Sequence, residues 1–225
     1  MALTGALRQA FTDFYFNSWR LAPANLLWAL GLIAVFVAGP LSVLGITFLV
    51  LLAVPLAGLA RMAALIARDE PMTFSDFVDG MRRFAGNAVV IAVATVLLAV
   101  VFTNNVVAGL DAGGPLGWLI SAFALWGDVA LVMLLVVVWP ILADPRRDGL
   151  SLRRRVALAG LVVIGRPGRV VALTAVVVAI LVVSTILFAA ILLVSVAYVS
   201  LVSARYVLPM LDSLEAQLPE GRLPG

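Results

Sequence analysis

The chain contains no cysteine, no histidine and no lysine in 225 residues. The missing cysteine excludes disulfides, iron–sulfur clusters and thiolate metal sites. The missing histidine removes the usual zinc, copper and haem sites, so no metal and no other cofactor is expected. Catalytic signatures are absent as well: there is no Walker loop, no Gly-x-Ser-x-Gly elbow, no His-Glu-x-x-His helix and no dinucleotide fingerprint. An enzyme would have to rely on scattered carboxylates, and no convergent pair lies within the apolar runs, so catalysis is not expected. Charge is scarce throughout. Only 12% of residues are charged and 64% are hydrophobic, against about 25% charged in soluble domains.

What the chain does have is apolar length. Several runs reach about 18 or more residues, enough to cross a hydrocarbon core roughly 30 Å thick. They are continuous rather than alternating, which argues against a β-barrel. The predicted fold class is an all-α polytopic transmembrane helical bundle. Spans are predicted at 21–38, 41–60, 85–107, 118–142, 169–184 and 187–207, followed by a flexible tail at 218–225. The uncharged stretch 170–204 would measure about 52 Å as one helix, too long for a single crossing, so it is divided by a turn near 183–187. Pro55 is expected to kink the second span. The first twenty residues carry aromatics and Asp13 and do not read as a cleavable signal.

The fifteen basic residues are all arginine. Arg8 and Arg20 precede the first run. Arg61, Arg68, Arg82 and Arg83 follow the second, and the group from Arg146 to Arg169 follows the fourth. The alternate connections carry none. Positive charge is retained on the cytoplasmic side, so this alternation places both termini in the cytoplasm. It also explains the net charge of +3 without nucleic acid.

An internal repeat fits this threading. Phe11-Thr12-Asp13-Phe14 with Arg20 matches Phe74-Ser75-Asp76-Phe77 with Arg83 at an offset of 63 residues. A looser third copy starts at Leu150-Ser151-Leu152 and ends at Arg166-Pro167. Thr12 or Ser75 can cap a short helix, and an aspartate in its first turn suits the dipole. The predicted architecture is therefore three transmembrane hairpins, each introduced by a cytoplasmic amphipathic connecting helix.

Two groups of candidate site residues follow. Asp128 is the only acidic residue within the predicted membrane core, where an unpaired carboxylate is costly. It reads either as a proton, cation or polar-substrate site or as a protonated or hydrogen-bonded group holding helices together. Thr95 lies at a similar predicted depth, and Asn104 and Asn105 stand at the outer end of the third span as a possible vestibule or a frayed helix end. The second group is cytoplasmic: Phe74, Asp76, Phe77, Arg82, Arg83, Arg153, Arg154 and Arg155 are candidates for docking a partner or contacting lipid. Arg61 and Arg205 are expected to snorkel to headgroups.

The order and spacing of several short motifs carry a resemblance across residues 8–217. These are Asn25-Leu26-Leu27-Trp28, Gly39-Pro40, Phe74-Ser75-Asp76-Phe77 leading to Arg82-Arg83-Phe84, Trp139-Pro140-Ile141-Leu142-Ala143, and Arg166-Pro167. Together they resemble the YesL-like family of bacterial integral membrane proteins, a domain of unknown function. The resemblance implies a bacterial inner-membrane protein near carbohydrate uptake, with importer subunits or further copies of itself as partners beside the lipid bilayer. It transfers no catalytic or binding residue. The expected role is an accessory or regulatory component. A small permease and a scaffold that docks a cytoplasmic partner are the alternatives.

Overall fold

The computed structural model describes residues 2–187 and 194–217. Among them the chain is helical throughout and forms no strand. Its helices are α1 (Leu3–Ala38), α2 (Val43–Leu51), α3 (Ala53–Ala67), α4 (Phe74–Ala112), α5 (Gly114–Leu142), α6 (Leu152–Gly165), α7 (Pro167–Ile186) and α8 (Val196–Glu215), with a 3₁₀ turn at Pro145–Arg147. Five helical segments are long and apolar enough to cross a membrane: α1, α2 with α3, α4, α5 and α7. These features define a helical membrane protein.

The first two connecting helices expected from the repeat are not separate elements. Their residues belong to α1 and α4, which run unbroken for 36 and 39 residues. No glycine or proline stands between the first aromatic repeat and Arg20 to break the backbone ladder. Only the third unit has its own helix, α6, which ends where Arg166 precedes Pro167, as steric restriction of a pre-proline residue dictates. The cap of α4 also differs from expectation. Thr73 and Asp76 form a reciprocal capping box, with the Thr73 amide donating to Asp76 Oδ2 at 2.7 Å. Thr12, by contrast, lies inside α1 and donates to the Arg8 carbonyl.

A glycine-bearing turn joins α1 to α2. Gly39 closes α1 at φ +83°, and Ser42 caps α2 by accepting from the Gly45 amide at 2.9 Å. The second apolar run breaks between α2 and α3 at Leu52. The break lies one turn before Pro55, whose ring lacks the amide that would bond the Leu51 carbonyl. α7 runs to Ile186 and α8 begins at Val196, so residues 183–186 of the predicted turn continue α7 and the chain bends at Leu187, while residues 188–193 of the predicted sixth span lie outside the described residues. The predicted tail at 218–225 lies outside them too.

α3 and α8 form the centre. In α3, ten of fifteen residues are buried, including Ala57, Gly58, Leu59 and Ala60 in succession. In α8 the run from Leu201 to Leu208 is buried without a gap. α1, α4, α5, α6 and α7 surround this pair. α3 crosses α4 at two glycines: a Cβ on Gly80 would lie 3.1 Å from the Gly58 Cα and 2.7 Å from Arg61 Cβ. Such close approach of backbones is a common basis of helix association in membranes. Asn25 of α1, fully buried, accepts from the Ala197 amide of α8 at 2.8 Å. The remaining hairpin stands apart. No residue of α4 between Ile91 and Gly109 is buried, and its neighbour α5 exposes Phe123 and Trp126 at 71% each.

Candidate functional site

Arginines from α3, α4, α6 and α8 converge with aspartates at one end of the bundle. Arg68 caps the C-terminus of α3, and Asp144 caps the 3₁₀ turn after α5. Arg68 donates to Asp144 from Nε at 3.1 Å and from Nη2 at 2.6 Å. It also donates to Asp212 of α8 at 2.5 and 3.1 Å. Arg147 reaches Asp144, Glu215 and Asp212 at the same place, the last at 2.7 Å. Asp144 is fully buried and also accepts from the Arg146 amide at 3.2 Å.

Two further groups flank this centre. Arg61 holds Asp148 in a bidentate pair at 2.9 Å on both oxygens and donates to the Ala143 carbonyl at 3.0 Å. Arg83 reaches the same Asp148 at 2.9 Å. On the other flank, Arg205 of α8 joins Asp13 of α1 at 2.8 Å, Asp69 at 3.0 Å and the Ala67 carbonyl at 3.2 Å. Arg155 uses no carboxylate. It is 2% exposed, donates to the carbonyls of Leu142, Arg147 and Asp148, and stacks over Phe84 at 5.1 Å.

The electrostatics follow from this arrangement. Burial opposes the charge on Arg68, but hydrogen bonds to Asp212 and Asp144 outweigh it and raise its pKa. Arg147 is raised by the same balance, with Glu215 the strongest partner. Burial works against the Asp212 carboxylate, yet Arg68 and Arg147 hold its pKa below the ordinary value. Arg155 is shifted down by burial, with Asp148 opposing and Arg83 and Arg61 adding to the shift. The cluster is an ion-pair lock that ties α1, α3, α4, α5, α6 and α8 together.

The docking residues read from the sequence separate into several roles. Phe77 is 1% exposed and packs on Gly58, so it belongs to the core. Burial also removes Arg155 from the surface set, because its fork is spent on carbonyls at the end of α5 and in the turn. Asp76 is used in the capping box, and Arg83 in the pair with Asp148. Phe74, Arg82 and Arg153 are exposed, and Arg154 is half-buried. Arg61 and Arg205 are paired with carboxylates and do not snorkel freely. The missed signal was acidic: Asp13, Asp69, Asp144, Asp148 and Asp212 occur in the same segments as the arginines.

The membrane-core candidates stay scattered. Ser121 donates to the Val106 carbonyl at 2.9 Å, which sets the register of the α4–α5 hairpin. Seven residues further along α5 brings Asp128 level with Ala99, about one turn from Thr95. Asp128 is half-buried and makes no hydrogen bond or ion pair with the described residues. Thr95 donates to the Ile91 carbonyl in its own helix, and Asn105 donates to Val101. Asn104 is exposed. The four do not converge. No family model, curated protein or solved structure matches this chain.

Proposed function

We propose that this chain is an accessory subunit of a larger complex in the bacterial inner membrane, with six spans in three hairpins and the arginine-rich end in the cytoplasm. Its docking face is the α4–α5 hairpin, and the observation that carries this reading is Asp128. A carboxylate near the middle of a 29-residue apolar helix, without a partner among the described residues, is costly in hydrocarbon. A transmembrane helix presenting a hydrogen-bond donor or a cation would satisfy it. The hairpin's exposed Phe123, Trp126 and Val129 supply the apolar surround that such a contact needs. The resemblance to YesL-like proteins supports carbohydrate uptake as the setting.

The permease reading is less favoured by the same geometry. A sugar path needs a series of polar groups across the bundle, and Asp128, Thr95, Asn104 and Asn105 do not face one cavity. The deciding experiment is site-specific photocrosslinking from position 125 of α5 in native membranes. Crosslinks to an importer subunit support the accessory role. Crosslinks only to a second copy of this chain support self-association, and crosslinks only to lipid refute docking by this face.

A further inference from the structure

The cleft between α7 and α8 is polar at its charged end and apolar deeper in. At its mouth lies a cavity of about 270 Å³ lined by Arg166 and Arg169 of α7 and by Tyr206, Pro209, Met210 and Ser213 of α8. Neither arginine makes an ion pair with the described residues, unlike those of the lock. Further along the same two helices is a second cavity of about 280 Å³. Its walls include Val177, Val178 and Leu181 of α7, Val199 of α8, and Val136 and Trp139 of α5. From Arg169 to Val178 the rise along α7 is about 13 Å. Headgroups occupy roughly 5–8 Å outside the hydrocarbon core, so a phosphate at Arg169 puts the second cavity inside the hydrocarbon.

Three polar side chains near the second cavity have no hydrogen-bond partner among the described residues. Ser203 is 3% exposed, lines that cavity, and its hydroxyl bonds to nothing; Trp28 Nε1, also on the lining, is likewise unsatisfied. The Thr174 hydroxyl, on α7 between mouth and cavity, is the third. Ser203 lies on α8 between Tyr206 at the mouth and Val199 in the apolar wall. A buried donor without an acceptor is destabilising, and that cost is relieved if a ligand brings an acceptor oxygen to this level.

We propose that the α7–α8 cleft binds one membrane phospholipid, its phosphate against Arg166 and Arg169, its ester carbonyl at the level of Ser203, and one acyl chain in the apolar cavity. A free fatty acid shares the chain and an acidic head but lacks the phosphodiester. The lateral rim is formed by Val178 and Val132, both exposed, so the chain enters sideways from the bilayer.

The test is native mass spectrometry of the full chain, reconstituted with equal amounts of phosphatidylethanolamine and phosphatidylglycerol and then released from detergent. The expected result is a single phospholipid that survives delipidating washes. Val178→Trp should lower its occupancy at least about tenfold by blocking the rim. Ser203→Ala should lower it about fivefold, the worth of one hydrogen bond. Arg166→Gln with Arg169→Gln should cut any preference for the anionic lipid by about tenfold. The two-arginine and serine variants change only a half-exposed surface and one hydroxyl, so they remain informative if the tryptophan variant misfolds. A wild-type chain without bound phospholipid overturns the proposal. So does equal retention in the serine and two-arginine variants, or a retained species that is a free fatty acid.

Discussion

Arg68 and Asp144 form a two-point ion pair, at 3.1 and 2.6 Å, in which the carboxylate is fully buried. The pair joins the end of α3 to the turn after α5, and Asp212 and Arg147 extend it to α8. A buried pair of this kind is not by itself evidence of net stability, because desolvation offsets much of the attraction. Breaking it is another matter, because the survivor is left charged and enclosed.

Asp144→Ala removes the one fully buried carboxylate shared by Arg68 and Arg147, leaving two nearly enclosed guanidinium groups to share Asp212, with Glu215 beside Arg147. The expected loss is about 3–5 kcal/mol of unfolding free energy, read as a lower midpoint in detergent-based denaturation. Replacing Arg83, which is half-exposed and shares Asp148 with Arg61, should cost under about 1 kcal/mol. Equal losses from the two changes would contradict the lock.

The fork of Arg155 is expected to matter more than its charge. Arg155→Lys keeps the charge but cannot reach the three carbonyls in one plane, so a loss of about 2 kcal/mol is expected. Arg153→Lys, on the opposite face of α6 and exposed, should leave the unfolding midpoint unchanged.

Asp212 predicts a pH dependence. Its folded pKa lies below the ordinary carboxylate value, so its stabilising contribution is fully present above about pH 4. That contribution is lost as the pH falls through the depressed folded value. The thermal midpoint of the native chain should drop on acidification below about pH 4, and Asp212→Asn should flatten that drop while lowering stability at neutral pH. An unchanged acid profile in the variant would remove Asp212 from the lock.

The crossing of α3 and α4 tolerates no added side chain. A Cβ on Gly80 would meet Arg61 Cβ at 2.7 Å, so Gly80→Val should cost about 1–3 kcal/mol. Because Arg61 is displaced with it, the Arg61–Asp148 pair should weaken too, which a double-mutant cycle with Asp148→Asn would detect as coupling.

Asp128→Leu separates docking from folding. Asp128 makes no hydrogen bond or ion pair with the described residues, so its removal should leave the isolated chain as stable as before or more so. Co-isolation of membrane partners should fall at the same time. A destabilised monomer would instead assign Asp128 to internal packing.

Much of the helical plan was legible in the sequence because it depends on local quantities. Run length marked six crossing helices, of which five are long and apolar enough among the described residues; Gly39-Pro40 marked the first turn, and Pro55, expected as a kink, lies one turn after the break between α2 and α3. The repeat was legible as a pattern but not as a role. Asp13 became a partner for Arg205 across the bundle, whereas Asp76 closed a capping box on its own helix. Closely similar short motifs diverged because their distant neighbours differ.

The arginine clusters show where local reading stops. From composition and spacing alone, the sequence determined that this is a helical membrane protein, that it has no thiol or imidazole chemistry, and which segments concentrate positive charge. It could not determine which arginines face outward. Arg153 and Arg155 are two residues apart, yet one is exposed and the other buried against Phe84 and three carbonyls. That outcome depends on helix phase and on the packing of α5, α6 and α4. Tertiary structure also decided that aspartates from four separate segments neutralise the cationic end, while Arg166 and Arg169 make no ion pair with the described residues and stand above an apolar cleft. Hydropathy is a property of a window of chain. Charge pairing and cavities are properties of what distant windows bring together.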